Sequence, residues 1–138
     1  MIDRKGGPPR VCALGGGHGL ATSLRAIRGY AEEITAVVSI ADDGGSSGRI
    51  RSAIGGPAPG DLRRCFEALG DGSMLTAEMG WRFNGGELEG HALGNLLIAG
   101  LIAASDDLVS ALDEVCRLVG TMGRVLPATS IPVDLVAD

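Results

Sequence analysis

The sequence predicts an α/β domain with a mostly parallel sheet and helices on both faces, a three-layer arrangement. Three observations predict it. The short apolar runs Val11–Leu14 and Ile34–Ile40 have the length and residue types of buried strands. A glycine-rich stretch, Gly15–Gly19 and then Asp42–Gly48, follows closely on each run. Between them, Leu20, Leu24 and Ile27 recur at helical spacing. Strand, glycine turn, helix, strand is a βαβ unit, which is right-handed and parallel. Both glycine stretches then lie at the carboxyl edge of the sheet, where open α/β sheets bind ligands.

Composition narrows the function classes. A chain of 138 residues, 45% hydrophobic and 21% charged, suits one globular domain with a real core. One Trp, one Tyr and two Phe are too few for a base-stacking platform, and a net charge of −5 argues against a general nucleic-acid binder. Arg49, Arg51, Arg63 and Arg64 flank the glycine stretches, so a local positive site is compatible with the acidic total. Cys12, Cys65 and Cys116 form no CxxC and fall in apolar segments, which reads as three buried free thiols in a reducing cytosol. The start of the chain has no apolar core of a signal peptide, and the uncharged run Ala92–Ser105 is too short to span a bilayer. A soluble, cytoplasmic protein is expected, with neither a nucleic-acid nor a membrane partner.

In order, residues 1–9 read as a flexible lead-in and residues 10–138 as the ligand-binding domain. The first helix spans about Leu20–Arg28, with Gly29 at its αL stop. Residues 50–60, with two Pro and three Gly, read as a loop. Asp61 is placed as the N-cap of a helix Leu62–Leu69, whose stripe is Leu62, Cys65, Phe66 and Leu69. A short helix is expected at Met74–Arg82, anchored to the core by Trp81 and Phe83. An uncharged helix follows, opening with His91 and ending near Ala104; apolar all round, it should be buried. Ser105 caps the next helix, which buries Leu108, Leu112, Val115 and Val119. Arg124–Leu126 and Ile131–Val136 are β-prone, and the chain reads as the front part of a longer protein.

The candidate site combines the two glycine stretches with one helix start. Asp42, Asp43, Gly44, Gly45, Ser46, Ser47 and Gly48 place carboxylates, hydroxyls and flexible backbone in seven residues, which packing does not require. The hydroxyls and free N–H groups suit phosphate or hydroxyl oxygens, and the carboxylates suit a sugar hydroxyl, a base edge or Mg²⁺. Gly15, Gly16, Gly17 and Gly19 open a helix whose free N–H groups favour an anionic group. Gly15-x-Gly17 matches half of a dinucleotide fingerprint, Leu20 stands at the third glycine position, and no Gly-Lys-Ser/Thr follows. His91 and Asn95, one helical turn apart, share a face and would look into the same crevice.

Five blocks carry a family likeness: Leu14-GGGHG-Leu20, Ala41-DDGGSSGR-Ile50, Pro59-Gly60-Asp61-Leu62-Arg63, Gly90-His91-Ala92-Leu93-Gly94-Asn95-Leu96 and Arg124-Val125-Leu126-Pro127-Ala128-Thr129. In this order they resemble the gluconeogenesis factor (YvcK-like) family, which is related to the 2-phospho-L-lactate transferase (CofD) family. The resemblance implies a Rossmann-like fold and a nucleotide-sugar ligand of the UDP-N-acetylglucosamine type. It further implies a regulatory role in cell shape and wall synthesis during gluconeogenic growth, with no firm enzymatic activity. The CofD branch instead implies Mg²⁺-dependent transfer of a phospholactyl-type group, with Asp42 and Asp43 as the metal-binding pair. His18 stands where the family commonly has Thr.

The leading expectation is therefore a nucleotide-sugar-binding regulator. Its ligand-binding residues would be Gly15, Gly16, Gly17, Gly19, Asp42–Gly48, Asp61, His91 and Asn95. No cofactor is assigned with certainty, and Mg²⁺, held by Asp42 and Asp43, enters with the transferase alternative. An NAD(P) enzyme is disfavoured by the missing third glycine, and because Tyr30 and Lys5, the single residues of their types, form no Tyr-x-x-x-Lys pair. An exposed sheet edge or an uncovered helix would favour a homo-oligomer.

Overall fold

Ile34, Ala36 and Val38 alternate with Glu33, Thr35 and Val37, and this period of two sets the sheet. The computed structural model describes residues 6–134 and 136. Strand β1 (Arg10–Gly15), helix α1 (Gly17–Ile27) and strand β2 (Glu33–Val38) form the expected βαβ unit, with β1 and β2 parallel and Val11 in register with Ile34. After α2 (Gly45–Ile54), α3 (Pro59–Leu69), α4 (Met74–Glu78), α5 (Leu93–Ala104) and α6 (Leu108–Leu118), strand β3 (Arg124–Pro127) joins the far side of β2, also parallel. The strand order is β1-β2-β3. This is the α/β class with a parallel sheet that the sequence predicts.

The core lies on one face of that sheet. Ile34, Ala36, Val38 and Val125 are buried there against Leu24, Leu62, Phe66 and Leu69 of α1 and α3. Each fully buried Leu, Ile or Phe contributes about 1.5–3 kcal/mol of apolar transfer energy. Helices α1 and α3 are also tied at their ends, where the Arg28 guanidinium donates to the carbonyls of Ala68 (2.8 Å) and Gly70 (3.1 Å) and satisfies the open end of α3. On the opposite face Cys12 and Leu14 are exposed and Thr35, Val37 and Leu126 half-buried. The described residues do not build a helical layer there.

Several local expectations are corrected. Helix α1 begins at Gly17, three residues early, and Gly17 takes at this turn a φ of 60° that a side chain would resist. Ser46, Ser47 and Gly48 are not loop but the first turn of α2, and residues 50–54 continue that helix. Burial of Ile50 and of both serines overrides the poor helix propensity of a Gly/Ser stretch. Pro59 starts α3, so Asp61 lies inside its first turn and caps nothing. Helix α4 ends at Glu78; Met79 is the buried anchor, while half-exposed Trp81 stacks edge-on against Phe83 at 4.8 Å. His91 precedes α5, and that helix buries Gly94, Asn95, Ile98 and Ala99 but leaves its other sides partly open. Ser105 precedes the true cap of α6, Asp107, which accepts from the Ser110 N–H at 2.8 Å. Cys65 alone of the three thiols is buried; Cys12 is exposed and Cys116 intermediate. Residues 131–134 are not strand, and the rest of the expected Ile131–Val136 element, apart from Val136, lies outside the described residues, as do residues 1–5 of the lead-in.

Candidate functional site

The helices divide by whether a side chain caps their N-termini. Serine and aspartate side chains cap α4 and α6. Helices α1, α2, α3 and α5 begin after Gly16, Gly44, Ala58 and Ala92, with no side-chain cap. The first N–H groups of α1, α2 and α3 are left for another acceptor, whereas those of Leu93 and Gly94 at the start of α5 donate to the carbonyls of Trp81 and Met79, each at 2.8 Å. These four starts adjoin one another. A β-carbon on Gly16 would lie 2.8 Å from Asp61 Oδ2, and one on Gly60 would lie 2.4 Å from Ser47 Oγ. Asn95 of α5 donates to Ser46 Oγ of α2 at 3.1 Å.

A cavity of about 490 Å³ opens over the starts of α2, α3 and α5, its wall including Asp42, Ser46, Ser47, Gly60 and Asn95. Arg49, Arg63, Arg64 and Arg82 also line it. Arg64 pairs with Asp61 at 2.7 Å, and Arg63 with Glu67. Arg49 donates to the Glu89 carbonyl (2.8 Å) and Arg82 to the Gly90 carbonyl (2.6 Å). Neither of these last two meets a carboxylate among the described ion pairs, so the cavity has a positive surplus. Four cationic side chains and uncapped helix ends together suit an anion with several oxygens.

Behind the cavity runs a buried polar chain. Arg63 Nε donates to Asn95 Oδ1 (3.0 Å), Asn95 Nδ2 donates to Ser46 Oγ, and Ser46 Oγ lies 3.0 Å from His91 Nδ1. Burial first, then the nearby Arg49 and Arg82 charges, hold the His91 imidazole below its ordinary range, so it is neutral at pH 7. In front, Asp42 Oδ1 accepts the Gly44 N–H at 3.0 Å and shapes the entry into α2.

The predicted residues fall into three groups. Asp42, Gly44, Gly45, Ser46, Ser47 and Asn95 share the cavity just described. Asp43 and Gly48 line a neighbouring depression of about 780 Å³ with Arg51 and Asp134. Gly15, Gly17 and Gly19 line neither, although Gly16 reaches the site through Asp61. His91 and Asn95 do share a target, since both meet Ser46 Oγ, but His91 sits behind the cavity wall. Sequence reasoning weighed Arg63 and Arg64 as a solvated face and passed over Arg82. Arg63, in fact, is buried. The signal available for it was its place one turn from Pro59, beside the apolar stripe of α3.

Mg²⁺ asks for oxygen ligands converging on one point. Asp42 and Asp43 line different cavities, and no third Asp, Glu, His or Cys joins them in a metal-sized group among the described residues. As placed, the pair does not form a ready cation site.

Comparison with known proteins agrees with this architecture. Residues 11–138 match the family model of 2-phospho-L-lactate transferase CofD. A Mycobacterium leprae protein, provisionally named a gluconeogenesis factor, is 49% identical over 96% of this chain and 38% of its own length. The gluconeogenesis factor of Bacillus subtilis is 41% identical over 96% of this chain and 43% of its own length. A crystal structure from Bacillus halodurans superposes with a TM-score of 0.83 at 38% identity, covering 90% of this chain and 41% of that one. The chain thus spans about two fifths of the length of these relatives. No helix among the described residues is long and apolar enough to cross a membrane. With a parallel α/β sheet, five ordered sequence blocks and a match along nearly its whole length, the chain belongs to the 2-phospho-L-lactate transferase CofD family, among relatives named gluconeogenesis factors.

Proposed function

We propose that this chain forms part of the ligand site of a cytoplasmic gluconeogenesis factor that binds a nucleotide-sugar, of the UDP-N-acetylglucosamine type, and regulates cell shape and wall synthesis under gluconeogenic growth. The observation that carries the reading is the four-arginine cavity at uncapped helix starts in a chain of net charge −5. Positive charge concentrated against the overall sign favours a diphosphate there. Asp42 and Asp43 take hydroxyls of the ribose or sugar, Ser46, Ser47 and Asn95 add hydrogen bonds, and Gly15, Gly16, Gly17 and Gly19 let the backbone approach the nucleotide. Self-association would use the open sheet face around Cys12 and Leu14, and a monomeric mass by light scattering would count against it.

A second reading, a transferase acting from a guanosine diphosphate carrier with Mg²⁺, is favoured by the match to the CofD model. A thermal-shift panel on the full-length protein separates the two. UDP-N-acetylglucosamine, UDP-glucose, GDP and NAD are each tried with and without Mg²⁺; a ligand at 100 times its Kd stabilises by about 2.7 kcal/mol. The regulator reading expects shifts with UDP-sugars in the absence of Mg²⁺. A shift with GDP and Mg²⁺ alone supports the transferase. Unchanged binding by Asp42→Asn and Asp43→Asn would show that the site is misassigned even with the right ligand.

A further inference from the structure

Arg63, Asn95, Ser46 and His91 form one continuous hydrogen-bonded chain, and its direction follows from which groups can only donate. The guanidinium has no lone pair to offer, so Asn95 must turn Oδ1 towards Arg63 Nε, at 3.0 Å. That orients the amide, and Nδ2 donates to Ser46 Oγ at 3.1 Å. Ser46 has one proton and two lone pairs, and Asn95 occupies one of the lone pairs.

The remaining link, 3.0 Å between Ser46 Oγ and His91 Nδ1, can run either way. If Ser46 donates, every bond runs away from the Arg63 cation, and each accepted bond strengthens the next donor. If His91 donates, two donors meet head-on at one hydroxyl. The charges around His91 keep the ring neutral in either direction, so the continuous run of donors from Arg63 is what favours the first. Arg49 on α2 and Arg82 before α5 both face it as cations. Arg63 of α3 stands at the far end of the chain with Glu67, and α5 contributes the neutral Asn95. With these cations around it the ring stays neutral, and a neutral ring with Nδ1 bare is the acceptor that the run from Arg63 calls for. Ser46, His91 and Asn95 are all buried, so bulk water does not scramble the arrangement.

We propose that this chain directs the Ser46 hydroxyl proton onto His91 and leaves Ser46 facing the cavity as a hydrogen-bond acceptor, so that it selects a hydroxyl or the amide N–H of the ligand's sugar in preference to a phosphate oxygen. The phosphates then belong to the arginines and the free N–H groups of α2 and α3. The identity of the ligand group rests on the nucleotide-sugar reading; the direction of the chain does not.

Two measurements test it separately. The first is ¹⁵N NMR of histidine-labelled full-length protein at pH 7, with His18→Gln to help assign the His91 signals. A bare Nδ1 and a protonated Nε2 on His91 are expected, and a protonated Nδ1 overturns the proposal without any ligand present. The second compares UDP-N-acetylglucosamine with UDP for wild type and Ser46→Ala. The variant should lose about three- to tenfold for the sugar nucleotide, the size of one neutral hydrogen bond, and almost nothing for UDP. Equal losses for both would put Ser46 on the UDP part that the two ligands share and overturn the selection of a sugar group. Absence of binding of either probe to the wild type would overturn the ligand class, with the NMR result deciding the direction of the chain by itself.

Discussion

Gly48 packs directly on the backbone of Asp43: a β-carbon at position 48 would lie 1.8 Å from the Asp43 carbonyl oxygen. Backbone, unlike a side chain, cannot rotate away. Gly48→Ala therefore forces the start of α2 off the Asp43 segment and should cost about 1–3 kcal/mol. Urea unfolding checks this, with a lowered midpoint at unchanged slope as the expected result.

Gly60→Ala is the informative contrast. Its added carbon would meet Ser47 Oγ at 2.4 Å, an atom that can swing to another rotamer. Stability should fall by less than about 1 kcal/mol, while the displaced hydroxyl moves within the cavity wall. Calorimetric titration with UDP-N-acetylglucosamine should show weaker binding than the stability loss alone explains.

Arg63 is buried, pairs with Glu67 and holds Asn95 by its Nε. Arg63→Met keeps the apolar stem but leaves Glu67 and Asn95 without that partner. The expected loss is about 2–4 kcal/mol, below the fully buried range because Glu67 keeps some contact with water. A double variant with Glu67→Gln should recover part of it, which a double-mutant cycle measures.

The cysteines should react in order of exposure. Burial, then the Asp61 charge, push the Cys65 thiol up to about 12, so at pH 8 it carries almost no thiolate. Cys12 is exposed on β1. Ellman titration of the native protein should modify Cys12 first and Cys65 only after unfolding.

Acid should weaken the fold through His91. Its folded value lies below the ordinary 6.5, so the unfolded chain takes up the proton first as pH falls. The contribution is fully present above pH 6.5 and is lost as pH falls from there through the folded value. The wild-type thermal midpoint should drop between about pH 7 and pH 5 more steeply than that of His91→Gln.

Much of the fold was legible because burial imposes a period that residue types reveal. Ile34, Ala36 and Val38 announced β2, and the stripe Leu62, Cys65, Phe66, Leu69 announced α3. Helix α2 was not legible. Gly45, Ser46, Ser47 and Gly48 have no helical propensity to read, and they turn helical because Ser46 and Ser47 are buried beside α3 and α5.

The candidate site divides along the same line. By itself, the sequence determined which residues carry polar chemistry, that they follow the strand ends, and which family they resemble, since each depends on residue type and order. Tertiary structure alone decided that Asp42 and Asp43 line different cavities and that Arg63 turns inward to Asn95. It also gathered Arg49 and Arg82 around the cavity with Ser46, whose hydroxyl meets His91, 45 residues away in the chain. Such long-range placement is set by the packing of α2, α3 and α5 against one another, which no local pattern encodes.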